Sequence, residues 1–234
     1  MNIYQPATFE DLDQARRVRA RHALLAAAAP AALAILEVFH PHPGHHLLAM
    51  DVRTWLIVHY IQLPLFALAA FSVATLVNAQ AGVAAKLCRA ALFVFALCFV
   101  VFDTAAGLVV GSLVEAAHAS GKPGAWQAPI DVVWMHPVFG GTNHPLLALI
   151  GRLSLSVGAA SAALSLYRAG RAWQPALLLA LSGCVMYVFP GHSWPGGPLT
   201  FGGMAVAIAW LHWARPHMTL EQWGLPGMGR NGPR

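Results

Sequence analysis

The chain has 234 residues, of which 58% are hydrophobic and 10% charged, with a mean hydropathy of +0.59. A soluble domain carries about a quarter charged residues, so that class is excluded. The apolar runs are continuous and do not alternate, which excludes a membrane β-barrel as well. The expected fold is all-α: a polytopic integral membrane protein, a bundle of six transmembrane helices with both termini cytoplasmic.

Residues 1–21 read as a cytoplasmic N-terminal helix. In "TFEDLDQARRVRAR", Thr8 fits an N-cap, with Asp11 three residues on in the manner of a capping box. The basic flank of the first apolar run is too long and too helical for a cleaved leader, so an uncleaved anchor is expected. The transmembrane domain, 22–214, contains spans at about 22–39, 55–78, 90–114, 145–167, 173–190 and 198–214, each near the length that crosses a roughly 30 Å hydrocarbon core. Segment 115–144, rich in Gly and Pro, forms an outer cap loop with "PIDVVWM" at the interface, and 215–234 is a cytoplasmic tail.

If the spans alternate, Arg16, Arg17, Arg19, Arg21, Lys86, Arg89, Arg168, Arg171, Arg215, Arg230 and Arg234 share one side. Arg53 and Lys122 fall on the other, and Arg152 lies within a span. The positive-inside rule makes the basic side cytoplasmic. The net charge of +5 therefore sets orientation and meets anionic lipid, and nucleic acid is not an expected partner. The expected location is a cell membrane, of the bacterial inner-membrane kind, crossed several times. Cys88, Cys98 and Cys184 form no paired motif, which leaves neither a disulfide framework nor a thiolate metal site. Trp126, Trp134 and Trp194 in outer segments, and Trp210, Trp213 and Trp223 near the inner end, read as interfacial anchors.

Nine of the twelve histidines fall on the outer side: His40, His42, His45, His46, His59, His118, His136, His144 and His192. Four of them crowd into "HPHPGHH", between the first two spans. Imidazole suits Zn, Cu and Fe, and a Glu-x-x-His pair such as Glu37 with His40 presents a carboxylate and an imidazole from one helix face. The candidate metal ligands are thus Glu37, His40, His42, His45, His46, His59, His144 and His192. No established zinc spacing is present; solvated loop histidines explain the cluster as well as a metal does, and a proton-relay or pH-sensing role is the lesser alternative. His59 and His144 would be the axial pair of a haem, a narrower reading.

Polar residues inside spans point to function by default. His59 and Gln62 share one face of the second span, above a kink at Pro64. Asp103, Gly107 and Gly111 share a face of the third, where the glycines permit close helix approach. At about 1.5 Å per residue, His59 lies about 6 Å below the outer boundary, Gln62 and Arg152 about 10 Å and Asp103 about 16 Å. An Asp at that depth requires a partner, so an Asp103–Arg152 ion pair, direct or through Gln62 or water, is expected.

These groups, His59, Gln62, Asp103 and Arg152, are the candidate catalytic set of a polar cavity in the outer half. The cavity suits a metal-assisted or acid/base enzyme acting on a lipid-like substrate. Alternatives are a non-enzymatic Cu/Zn- or haem-binding membrane protein, then a small transporter or an assembly subunit.

Overall fold

The computed structural model describes residues 9–42, 46–142, 144–189 and 191–214. Thr8 and the tail 215–234 lie outside them. Among the described residues every element is helical. Four helices are long and apolar enough to cross a membrane, so the chain is a membrane-type helical protein.

The first helix, α1 (Phe9–Val38), runs unbroken from the basic flank into the apolar run and passes through Pro30. Helix α2 (Val52–Thr75) starts at Asp51, whose carboxylate accepts from the Thr54 backbone amide at 3.2 Å and the Thr54 hydroxyl at 2.6 Å. This is an N-cap, and it supplies an acceptor to a helix end that would otherwise lack one. Helix α3 (Val83–Ala119) is longer than the 90–114 expected, and it extends into the segment read as a cap loop. It contains a π-helical turn at Asp103–Val109. Helix α4 (Gln127–Trp134) includes most of "PIDVVWM", and α5 (Leu146–Arg168) follows.

At the fifth position the helix is broken at Gly183–Cys184 into α6 (Trp173–Ser182) and α7 (Val185–Val188). Helix α8 (Gly196–Trp213) opens on Gly-Gly-Pro. Neither position joins the four that qualify by length and composition, because the fifth is too short even when Trp173–Val188 is taken as one helix, and the sixth carries Gly, Pro, Trp and His that lower its hydropathy.

The helices pack as a closed ring. Each of α1, α2, α3, α5, α6 and α8 contacts the next, and α8 returns to α1. Phe66, Phe95, Phe99, Phe201, Leu155 and Met204 fill the centre of this ring in one buried apolar cluster. Small residues let the helices approach, as at Gly151 and Gly158 of α5, where an added Cβ would meet Phe99 and Leu92 of α3. Above the phenylalanine core, the loop between α7 and α8 brings His192 inward, where its ring packs at 5.8–6.1 Å from Phe66, Phe99 and Phe102.

Candidate metal centre at the histidine-rich end of the bundle

Three chain segments meet above that aromatic floor. Glu37 comes from the last turn of α1, His40 from just beyond it, and His192 from the α7–α8 loop. Their ligand atoms all lie within 4.8 Å of one another, and Glu37 and His40 are buried. His192 Nδ1 stands 3.3 Å from Glu37 Oε2 and 3.1 Å from Gln62 Nε2. Two carboxylates and three imidazoles thus share a space with few other polar groups. The His59 ring meets the His40 ring edge to face at a centroid distance of 4.9 Å and lies tilted against Trp55 at 4.3 Å.

The hydrogen bonds determine which ring nitrogens are free. His40 Nδ1 donates to the Pro41 carbonyl at 2.8 Å, so in the neutral ring Nε2 carries the lone pair. That Nε2 is buried with no partner. Burial, then the neighbouring His192 and His59, push the His40 pKa down to about 2, so the ring is neutral at physiological pH. His59 Nδ1 likewise donates to the Trp55 carbonyl at 2.7 Å, which leaves its Nε2 lone pair facing Asp103 Oδ1 at 3.7 Å. Asp103 Oδ1 accepts from Gln62 Nε2 at 3.1 Å. Four buried acceptor atoms have no partner here: Glu37 Oε1, His40 Nε2, Gln62 Oε1 and Asp103 Oδ2. An unsatisfied buried polar atom costs about 1–3 kcal/mol, and all four of these atoms are of the kind a cation accepts.

The π-turn supports the arrangement. Such single-turn bulges free backbone groups and occur often at functional sites. Here the Trp55 indole donates to the Gly107 carbonyl at 2.7 Å, which ties the bulge to α2. A Cβ at Gly107 would run into the His59 ring, so only glycine admits the imidazole at that place. Beside these groups lies a cavity of about 240 Å³, walled by His40, Trp55, His59, Asp103, Trp134 and His192.

Comparison with known families, characterised proteins and solved structures finds no match to the chain.

The expected site residues separate into groups. Glu37, His40, His59, Gln62, Asp103 and His192 are brought together. His144 and Arg152 instead line an adjoining cavity. His42 is exposed, with Nε2 3.2 Å from the Trp194 carbonyl, and His46 is exposed beside the short helical turn Leu47–Ala49. His45 lies outside the described residues.

The expected Asp103–Arg152 ion pair is not formed. Among the described residues Asp103 faces α2, through Gln62 and His59, whereas Arg152 donates to the Ala148 and Met186 carbonyls at 3.3 and 3.4 Å. Asp103 is thus engaged with α2, whereas Arg152 is engaged with its own helix and with Met186 of α7. Trp134 also departs from its role as interfacial anchor, since it turns inward to line the cavity 6.1 Å from Trp55. Trp55 was not among the candidates. Its signal was its place one turn before His59 on the same face of α2.

Proposed function

We propose that this chain is a multi-pass membrane protein of the bacterial inner-membrane kind, oriented with its histidine-rich end outward. In this reading it holds a divalent transition-metal ion between Glu37, His40 and His192. The observation that carries the reading is the set of buried, unpartnered donor atoms on Glu37 and His40 beside His192. A two-His, one-carboxylate set suits Zn²⁺ or Fe²⁺, and three protein ligands leave a position open for water or substrate. Copper in its soft reduced form would favour sulfur, which this site lacks. Haem fits poorly, since His59 Nε2 already faces Asp103 at 3.7 Å and leaves no room for a porphyrin on that nitrogen.

The open position and the adjoining cavity favour a metal-assisted enzyme over a metal carrier. The metal would supply Lewis acidity. Gln62 would orient Asp103 and His192 from behind, and His59 with Asp103 would move a proton at the cavity wall. The apolar surroundings suit a lipid-like substrate. Six spans with both termini inside complete the reading, with α6–α7 and α8 as the fifth and sixth.

The test is the metal content of detergent-purified protein. The parent is expected to hold one first-row metal per chain, and Glu37→Gln and His40→Ala to hold almost none. His118→Ala, whose imidazole contacts the Leu48 carbonyl away from the site, is expected to keep it. Equal metal content in all four proteins would refute the reading.

A further inference from the structure

Arg152 is 7% exposed, and its charge has no counterion: among the described residues no carboxylate lies within 4 Å of it. Two of its five N–H groups reach carbonyls, at 3.3 Å (Ala148) and 3.4 Å (Met186), and the Tyr187 ring stands 5.9 Å from Cζ. An uncompensated guanidinium inside an apolar bundle is costly, and such residues line a path or take a charged ligand.

Arg152 opens on a cavity of about 300 Å³ with His144 as a second polar wall and Phe99 as apolar floor. This cavity shares Phe102, Gly141, Gly191 and His192 with the cavity of the metal centre. The two therefore adjoin, with His192 between them.

We propose that Arg152 binds the oxyanion head, carboxylate or phosphate, of an amphiphilic substrate and so directs the substrate's reacting atom toward the metal centre. The placement of the reacting atom rests on the metal reading, but the capture of the anion does not. The guanidinium forks onto two oxygens of such a head, and the tail follows the Phe99 and Phe102 walls. The neutral amphiphile of the same tail gains only the apolar contact.

The experiment uses the full chain in an uncharged maltoside detergent, both metal-loaded and chelator-stripped, with dodecyl phosphate, laurate and dodecanol as probes in calorimetric titrations. Charge-assisted hydrogen bonds predict at least about tenfold tighter binding of the anions than of dodecanol. The preferred anion identifies the head as phosphate or carboxylate. The preference is expected to survive stripping of the metal, to persist in Arg152→Lys and to vanish in Arg152→Gln. Ala148→Glu, which places a carboxylate one turn before Arg152, is expected to abolish it without lowering thermal stability. Retention of the preference in Arg152→Gln or Ala148→Glu would overturn the proposal. So would its loss on stripping, which would assign the anion to the metal. A parent without metal that still prefers the anions would refute the metal reading alone.

Discussion

His192 Nδ1 lies 3.3 Å from Glu37 Oε2, although 155 positions separate them in the chain. This contact closes the helix ring at its histidine-rich end, because it joins the end of α1 to the loop that leads into α8. In the proposed metal centre the two residues belong to one ligand set, so their effects on metal binding should not add. Changes outside the ligand shell alone lower metal affinity by about 10- to 100-fold. Glu37→Gln and His192→Ala are each expected to exceed that, and the double variant to be little worse than either. Competition titration with a chelating dye measures this. Fully additive losses would show that the residues do not share an ion.

Gly107 is the second point of close approach. A Cβ there would collide with the His59 ring, whereas one at Gly82 would meet nothing within 4 Å. Overpacking of this kind costs about 1–3 kcal/mol. Gly107→Ala is expected to melt several degrees below the parent and to hold less metal, and Gly82→Ala to match the parent. A Gly107→Ala protein with unchanged melting would mean that His59 can move aside freely.

The all-helical class and the positions of the long helices were legible because their apolar runs exceed what any soluble element needs. So was the closeness of Glu37 to His40, three residues on, and of His59 to Gln62, which share a face of α2 by spacing alone. The angular arrangement was not legible. Counting residues gives depth along a helix but not the direction a side chain takes around it, and for this reason Asp103 and Arg152 looked like partners. The π-turn at Asp103–Val109 has no sequence signature, and it changes the direction of every residue after Asp103. His192 was only a candidate because its place depends on a loop entering the ring, which no periodicity reports.

The Asp51 cap makes a pH prediction. Hydrogen bonds from the Thr54 side chain and amide hold its carboxylate below the ordinary 3.8. A depressed folded-state value means the stabilisation is whole above that ordinary value and is lost as pH falls through the folded one. Asp51→Ala should therefore melt below the parent at pH 7, and the gap should narrow as the medium is acidified toward pH 3. A gap that widens on acidification would contradict the capping role.

The orientation has its own test. In a background with Cys88, Cys98 and Cys184 replaced, Lys122→Cys in the outer segment is expected to react with an impermeant maleimide in intact cells. Arg168→Cys, at the end of α5, is expected to react only after permeabilisation. The opposite pattern would reverse the topology.

X-ray absorption of the metal-loaded protein shows whether Glu37, His40 and His192 hold the metal. One metal per chain is expected, with a nitrogen and oxygen shell at about 2.0–2.2 Å, two imidazoles and no sulfur. One imidazole is expected to be lost in His40→Ala. A sulfur shell, or a spectrum that His40→Ala leaves unchanged, would contradict this ligand set.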